Sequence, residues 1–286
     1  MKQLKLLEYR KEKLHIVSFS GGKDSAAMLL RMIELGDPID KIIFFDTGKE
    51  FPELYDYVKR MSAYTKETIG VEVEWIQPHA TKSGATFEDW FYGKRVGGFH
   101  DGKQRGWPMA KDPGCWWSRQ SKMVPGNKIC NGHYRYLGFA KNEEKRVKFY
   151  KTPNPRTGKS KHDDGHIYPM VDWDWNEEDA REYLIERGWA EPFHVQFNRT
   201  GCYLCPYQPV KSLKVLARKY PHHYEEILEL QKNSPNDFKP GIGYDELLKI
   251  REEALAEGDS PEETRAEGVG SGCPMKEAPS LIQIGG

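Results

Sequence analysis

A six-residue stretch near the start of the chain, Ser20–Ser25, constrains the fold most strongly. It reads Ser-Gly-Gly-Lys-Asp-Ser and follows a β-rich apolar run, His15–Phe19, while the spacing of apolar residues in Ala26–Ile33 is typical of one helix face. The order is therefore strand, glycine turn, helix. Two adjacent glycines let the backbone approach a ligand closely, and the first turn of a helix offers unpaired N–H groups and the positive end of its dipole. The stretch predicts an anion-binding loop.

The side chains of this loop add further hydrogen-bond donors for a phosphate group. The pattern differs from the common P-loop, because Asp24 follows Lys23 and Val17 stands where the first glycine of that motif would be. A purely structural turn is the alternative interpretation. We expect phosphate binding instead, since all six residues stand between a strand and a helix. The predicted nucleotide-binding residues of the loop are Ser20, Gly21, Gly22, Lys23, Asp24 and Ser25.

Two more strand patterns follow the loop. A buried run, Lys41–Phe45, ends in Asp46-Thr47-Gly48, and a helix is predicted from Pro52 to about Ile69. A third run, Val71–Ile76, alternates between apolar and polar residues. Three strand–helix steps in order predict an α/β fold with a doubly wound, mostly parallel sheet. A carboxylate at the C-terminal end of such a strand lies where open α/β sheets bind ligands.

These motifs resemble a known family. Ser20–Ser25 resembles the pyrophosphate-loop signature of the adenine nucleotide α-hydrolase-like superfamily, and Asp46-Thr47-Gly48 followed by Glu50–Glu53 resembles the phosphoadenosine phosphosulfate (PAPS) reductase family. A cysteine, a basic residue and a proline within residues 114–125, and the segment Ile167–Trp173, are also similar to elements of that family. The resemblance implies an adenine nucleotide as the ligand, ATP, PAPS or adenylyl sulfate, with Asp46, Thr47 and Gly48 helping to hold its adenosine half.

The segment Tyr134–Arg146 is predicted to be a strand that leads into a charged turn. It is similar to the family's Gly-x-Arg-x-x-Glu-x-x-Arg element, with Gly138 at the glycine and either Lys141 or Arg146 in place of the expected arginine. The resemblance implies that Gly138 contacts the nucleotide. We interpret three further charged residues as parts of a solvated loop: Glu143, Glu144 and Lys145.

Four of the five cysteines are candidate metal ligands. Cys202 and Cys205 form a Cys-x-x-Cys turn, a spacing that places two thiolates on one metal ion. With Cys115 and Cys130 they make a set for a [4Fe–4S] cluster or a structural zinc ion. Alternatively, the two earlier cysteines are ordinary buried residues and the later pair forms a reversible disulfide. The resemblance favours iron, because some adenylyl sulfate reductases bind a cluster through an early Cys-Cys pair and a later Cys-x-x-Cys; here Trp116 replaces the second early cysteine.

The resemblance is compatible with two reactions and with a third, non-catalytic role. Sulfonucleotide reduction of PAPS or adenylyl sulfate needs a thiol or another electron donor, and the family uses a cysteine within a Glu-Cys-Gly-x-His tail motif. Cys273 lies in a different context, Gly-Ser-Gly-Cys-Pro. An ATP pyrophosphatase that adenylates a substrate for sulfur insertion into tRNA or DNA would use the intact loop instead. The third possibility is a nucleotide or redox sensor.

In the ATP interpretation, three residues are candidates for catalysis. Lys23 and the helix N-terminus would neutralise the departing pyrophosphate, while Asp24 or Asp46 would bind Mg²⁺.

Composition limits the class of partner. The chain of 286 residues carries 43 basic and 43 acidic residues, so no excess of charge indicates a nucleic acid or a membrane surface. With no predicted membrane span or secretory signal, we expect a soluble cytoplasmic protein. Basic residues within Lys94–Lys111, together with Trp107, Trp116 and Trp117, leave stacking on a nucleic acid as a less favoured alternative.

The predicted organisation has three parts. Residues 1–200 form the nucleotide-binding α/β domain, and residues 201–250 form an extension with the cysteine turn and two helices, Pro209–Tyr220 and Pro221 to about Lys232. Residues 251–286 form a flexible tail, on composition.

Context predicts the roles of two segments of the first part. The irregular stretch 78–113 is expected to border the site, since long irregular segments in compact domains are usually functional. Asn176 is a predicted N-cap of a scaffold helix that has acidic residues in its first turn and ends at Gly188.

Overall fold

The structure is a computed structural model that describes residues 13–78, 85–96, 101–108, 115–143, 165–197 and 200–259, together with residues 146, 148, 152 and 158. Cys273 and most of the predicted tail lie outside these residues, as do Lys111, Glu144 and Lys145.

One sheet of parallel strands organises the fold. Its strands are β1 His15–Ser18, β2 Lys41–Phe45, β3 Val73–Ile76, β4 Tyr134–Leu137 and β5 His166–Ile167. Their order is β3-β2-β1-β4-β5, and every pairing is parallel. The chain runs outward from β1 to one edge and then from β4 to the other, which confirms the predicted doubly wound α/β fold. The order reverses between β1 and β4, where such sheets bind ligands.

Helices cover the sheet and extend the fold at its C-terminal side. The first five are α1 Lys23–Leu35, α2 Pro52–Ile69, α3 Phe87–Tyr92, α4 Trp116–Ser118 and α5 Val124–Ile129, the last two joined by a π-helical turn at Arg119–Met123. The others are α6 Pro169–Asp172, α7 Glu177–Glu186, α8 Pro192–Gln196, α9 Val210–Lys219, α10 Pro221–Lys232 and α11 Tyr244–Glu257. The predicted bounds of α2 and α10 are confirmed, and Asn176 caps α7 as expected by accepting from two backbone N–H groups.

Helix α11 was not predicted. Its buried residues Leu247, Ile250 and Ala254 recur at helical spacing and join the same hydrophobic cluster as the residues of β1, α1, α2, α9 and α10. The predicted boundary of the tail at residue 251 is therefore wrong, because residues 251–257 belong to this helix. Glutamate, whose abundance was one reason to expect a tail, is also a strong helix former.

The tryptophans considered as a stacking surface in the less favoured nucleic-acid alternative lie in the interior. Trp107 is fully buried, and Trp116 and Trp117 are buried as well. The ring of Trp107 meets that of Phe238 edge to face, with 4.8 Å between centroids. The prediction that these three rings could stack on nucleic-acid bases is therefore wrong. In the part of the chain that the structure describes, no helix is both long and apolar enough to cross a bilayer.

Candidate functional site

The loop between β1 and α1 requires glycine at its first turn. Gly21 has φ of 73°, and a Cβ there would lie 2.4 Å from Cδ1 of Leu54 in α2. The Ser25 hydroxyl accepts from Ser20 N at 3.1 Å and lies 3.0 Å from the Gly22 carbonyl. The Ser20 hydroxyl contacts the Ser25 hydroxyl at 2.9 Å. The two serines thus close the loop on itself and preorganise its backbone.

Gly138, at the end of β4, lies against this loop. A Cβ at this position would lie 2.9 Å from both N and Cα of Ser25. Such a distance is too short for two non-bonded heavy atoms, so only glycine lets β4 approach the first turn of α1 this closely.

Two cavities meet at this contact, and both are lined by Ser20, Ser25 and Gly138. The first has a volume of about 300 Å³ and lies at the C-terminal ends of β1, β2 and β4. The second, of about 390 Å³, lies at the N-terminus of α1. The first is lined mainly by Phe19, Phe45, Lys122, Arg135, Phe139 and Arg146. The second is lined mainly by Gly22, Lys23, Asp24, Glu177, His194 and Thr200.

Three charged side chains determine the electrostatics of the second cavity. Lys23 Nζ lies 3.1 Å from Asp24 Oδ2 and 2.7 Å from Glu177 Oε2. Burial lowers the pKa of Lys23, but the two carboxylates outweigh it and the net effect raises that pKa. Burial raises the pKa of Asp24 to about 6, against the opposing effect of Lys23. When all three groups are ionised, the trio carries one net negative charge.

Asp24 has an unused acceptor. Its Oδ1 atom is buried and has no hydrogen-bond partner among the described residues, although such atoms are normally paired. Mg²⁺ in nucleotide sites commonly binds one or two carboxylates together with substrate phosphates. The orphaned oxygen beside an anion-binding loop therefore fits a Mg²⁺ ion that accompanies a phosphate ligand.

Asp46, the other candidate for Mg²⁺, is already engaged. Its carboxylate accepts from Tyr55 Oη at 2.7 Å, from Gln77 Nε2 at 2.8 Å and from Gly48 N at 2.7 Å. Thr47 donates its hydroxyl to Glu50 Oε1 at 2.9 Å. These bonds shape the turn between β2 and α2, and neither cavity described above is lined by Asp46.

Comparison with known proteins identifies the segment that carries the loop. Residues 14–95 match the model of the phosphoadenosine phosphosulfate reductase domain. This segment therefore resembles that family. It spans β1, the phosphate loop, α1, β2, α2 and β3, and the family is part of the pyrophosphate-loop superfamily, so the resemblance noted in the sequence is confirmed there.

Two uncharacterized proteins of Methanocaldococcus jannaschii are similar over most of the chain. One is 24% identical over 233 residues, which are 80% of this chain and 48% of that protein. The second is 25% identical over 226 residues, which are 74% of this chain and 40% of that protein. The chain thus spans about half the length or less of these relatives.

The structure distinguishes between the two basic residues proposed to replace the family's arginine. Lys141 pairs with Asp174 at 2.5 Å and lines neither cavity. Arg146 lines the first cavity, stacks over the Phe139 ring at 4.0 Å and pairs with Glu143 at 2.7 Å. Glu143, interpreted as a solvated loop charge, is partly exposed, and its carboxylate pairs with Arg146 within the same loop.

An ion pair between a buried carboxylate and a partly exposed lysine adjoins the first cavity. Glu50, whose side chain has no exposed surface, accepts from Lys122 Nζ at 3.0 Å, and its Oε2 has no hydrogen-bond partner among the described residues. Burial lowers the pKa of Lys122, but the net effect raises it, and the Glu50 carboxylate is the main opposing cause. The π-helical turn thus brings Lys122 between the cavity and the cysteine turn.

The four-cysteine metal site is not assembled. Cys115 and Cys202 pack against the main core cluster, on the face of the sheet that carries Val17 and Phe44. Cys130 is buried in a second cluster with Ile16, Ile43 and Phe45, whose positions alternate with the first set and therefore face the other side. Among the described residues no group of three or more cysteine, histidine or acidic side chains is placed to hold a metal ion. The predicted tetrathiolate is wrong, because Cys130 lies on the opposite side of the sheet from Cys115 and Cys202. The sequence does not reveal on which side of the sheet Cys130 lies.

The cysteine turn itself lies close to the site. Tyr203 N donates to Lys49 O at 2.9 Å, which attaches the turn to the loop after β2. Burial, reinforced by Glu50 and Cys205, raises the pKa of Cys202 well above the ordinary value of a thiol. In this arrangement Cys202 is held as a thiol at neutral pH.

Three residues that line the second cavity could not be identified from the sequence. Glu177 was interpreted as an ordinary acidic residue of a helix terminus, while His194 and Thr200 were not singled out. All three come from more than 150 positions after the loop and are brought to it by α7, α8 and the segment before the cysteine turn. The position of Thr200 just before Gly-Cys-x-x-Cys was the one available signal.

Proposed function

We propose that this protein binds ATP with Mg²⁺ and cleaves it between the α and β phosphates, so that the adenylyl group passes to an acceptor. The observation that carries the proposal is the Asp24 carboxylate with its orphaned oxygen at the anion-binding loop. A net negative trio beside a phosphate site repels an anion unless a cation is bound with it. ATP brings such a cation, and Mg²⁺ would neutralise charge on the phosphates.

The two cavities differ in their linings, so each suits a different part of ATP. The first, walled by Phe19, Phe45 and Phe139, suits an adenosine group. The second contains Lys23 and the N-terminus of α1 and suits the β and γ phosphates. The α phosphate would then lie at the shared edge formed by Gly138 and the loop.

The roles of the chain's own residues follow from this placement. An acceptor oxygen attacks the α phosphorus, the bond from the α phosphorus to the bridging oxygen breaks, and pyrophosphate leaves while the acceptor loses its proton to solvent. Lys23 and the backbone N–H groups of the loop stabilise the charge that develops on the leaving group. Glu177 orients Lys23 through the 2.7 Å contact. Asp24 would hold the metal ion.

Reduction of a sulfonucleotide is the second candidate, and the position of the cysteine turn favours it. Cys202 and Cys205 lie near Lys122, which lines the first cavity. One thiol would attack the sulfur of PAPS or adenylyl sulfate and release the nucleotide; the second would then displace sulfite and leave a disulfide. A small thiol or dithiol donor would be needed to regenerate the pair.

One assay separates the two reactions. The protein is incubated with α-labelled ATP and Mg²⁺, and in parallel with PAPS or adenylyl sulfate and a dithiol. Labelled AMP or an adenylylated product together with pyrophosphate supports ATP cleavage, whereas sulfite supports reduction. Nucleotide binding with neither product would favour a sensor.

A pair of variants tests the assignment of Asp24. Asp24→Asn should lower kcat for ATP cleavage about 100-fold, as expected for loss of a group that stabilises transition-state charge. Asp46→Asn should lower it by less than about tenfold, since Asp46 contacts Tyr55 and Gln77. The reverse order would assign the metal ion to Asp46.

A further inference from the structure

We propose that His194 is a positioning residue of the phosphate loop, whose ring N–H holds the Gly21 carbonyl so that this oxygen cannot turn toward a bound phosphate. The inference rests on the proposed function only in that the loop must bind the phosphates of a nucleotide.

The contact is short, buried and directional. His194 Nε2 lies 2.9 Å from the Gly21 carbonyl oxygen, and the residue is 7% exposed in the wall of the second cavity. A carbonyl oxygen only accepts, so Nε2 must carry the hydrogen. On the other side of the ring, Nδ1 accepts from the backbone N–H of Glu191 at 3.4 Å. The two contacts select one neutral tautomer.

The surroundings hold the ring neutral. Burial, reinforced by the nearby cations of Lys23 and Arg60, lowers the pKa of His194 to about 4 in spite of the contact with Gly21. Protonation would also place an Nδ1 hydrogen against the N–H of Glu191. The ring therefore serves as a fixed donor at neutral pH and not as a proton carrier.

Helix α2 holds both the ring and the loop. The Tyr57 ring meets His194 edge to face, with 5.0 Å between centroids and an angle of 90°. Arg60 pairs with Glu191, the residue that precedes α8, at 2.6 Å. A Cβ on Gly21 would meet Leu54 of the same helix. The Gly21 peptide is thus packed against α2 at its Cα and bonded to His194 at its oxygen.

The loop needs this restraint because of its glycines. Gly21, with φ of 73°, and Gly22 together lack the Cβ atoms that limit backbone rotation elsewhere. Rotation of the peptide between them would replace an N–H group with a carbonyl oxygen at the anion site, and a nest of N–H groups binds anions only while its donors converge. Fixing the oxygen on His194 removes that alternative.

Three substitutions of one residue test the contact. In His194→Gln the amide nitrogen reaches the position of Nε2 and keeps the donor; in His194→Asn it reaches only the position of Nδ1; His194→Phe keeps the ring without a donor. We expect the Asn and Phe variants to bind Mg²⁺ with α,β-methylene-ATP about tenfold more weakly, the loss typical of one hydrogen bond. The Gln variant should remain within about threefold of wild type. The values of kcat/KM for ATP cleavage should follow the same order, a rescue that a space-filling role would not produce.

Equal affinity in all four proteins, or a Gln variant as weak as the Phe variant, would overturn the inference. A ¹⁵N NMR measurement on the wild-type protein without ligand gives a second test that needs no variant to fold. We expect the neutral Nε2–H tautomer at pH 7, whereas an Nδ1–H tautomer or a charged ring would refute the contact. If the wild-type protein bound no adenine nucleotide, the proposed function would fail, and the NMR result would still decide whether His194 holds Gly21.

Discussion

Gly138, directly after β4, lies against the loop Ser20–Ser25 with no room for a side chain. Because a Cβ would lie 2.9 Å from the backbone of Ser25, we expect Gly138→Ala to displace the first turn of α1. The cost to the free energy of unfolding should be about 1–3 kcal/mol, as for other overpacked sites. Nucleotide affinity should fall more than about tenfold, because the displaced groups are those proposed to bind phosphate. Calorimetric titration and urea unfolding measure the two effects.

Gly36→Ala is the matched control for Gly138→Ala. Gly36 ends the same helix with φ of 70°, and a Cβ there would have no heavy atom of the described residues within 4 Å. Alanine there should cost about 1 kcal/mol of stability through backbone strain and leave nucleotide affinity unchanged. Equal losses of affinity in both variants would mean that stability alone, and not the contact with Ser25, explains the result.

The Asp24 carboxyl makes the free energy of unfolding depend on pH. Burial raises its pKa to about 6, so between about pH 4 and 6 the folded protein keeps a proton that the unfolded chain releases. The stability contributed by this group is therefore present below about pH 4 and falls as the pH rises to about 6. Asp24→Asn should be more stable than wild type by about 1–3 kcal/mol at pH 7 and equally stable near pH 4, while losing ATP cleavage. Urea unfolding of both proteins at the two pH values provides the measurement; lower stability of the variant at pH 7 would contradict it.

Single residues of the site were predictable where a short motif fixes them. Ser20–Ser25 could be proposed from the sequence because six adjacent residues match the pattern of a phosphate loop. Glu177 and His194 could not, because their contacts with Lys23 and Gly21 form only in the folded chain.

The loop after β2 and the π-helical turn are joined by the Glu50–Lys122 pair. Lys122→Met would leave the buried Glu50 carboxylate without its cation, and we expect a loss of about 3 kcal/mol. Adding Glu50→Gln to that variant should recover part of the loss, because a neutral amide tolerates burial better. Urea unfolding of the single and double variants forms a double-mutant cycle. Additive losses would show that the two elements are not coupled through this pair.

An exposed ion pair on α2 is the control for the Glu50–Lys122 pair. Lys59 and Asp56 lie 3.0 Å apart with side chains 67% and 78% exposed. Lys59→Met should change stability by less than about 1 kcal/mol.

Secondary-structure elements were predictable where the spacing of apolar residues agrees with the residues that begin and end a helix. Helix α2 has apolar residues at helical spacing between Pro52 and Gly70, and its predicted bounds are those observed. Helix α11 carries the same kind of signal in Leu247, Ile250 and Ala254, but its charged composition concealed it. The side of the sheet on which Cys130 lies depends on how α5 packs, which local sequence does not specify.

The whole molecule has a hydrophobic core that joins the sheet to the C-terminal helices. The same cluster contains residues of β1 and α1 and residues of α9, α10 and α11. A ligand that binds only the folded state should therefore stabilise the sheet and these helices together. At a concentration of 100 times its Kd, an ATP analogue with Mg²⁺ should add about 2.7 kcal/mol to the free energy of unfolding. Fluorescence and far-UV circular dichroism should then report the same shift in Tm, whereas a shift in only one signal would show that the parts unfold separately.

The most direct test is a calorimetric titration of the wild-type protein with α,β-methylene-ATP, with Mg²⁺ and again with an excess of chelator. We predict one site per chain, with affinity at least about tenfold lower when Mg²⁺ is removed, because the side-chain carboxylates then face the phosphates without a cation. No binding under either condition would contradict nucleotide recognition by the loop, and equal affinity with and without Mg²⁺ would contradict the role given to Asp24.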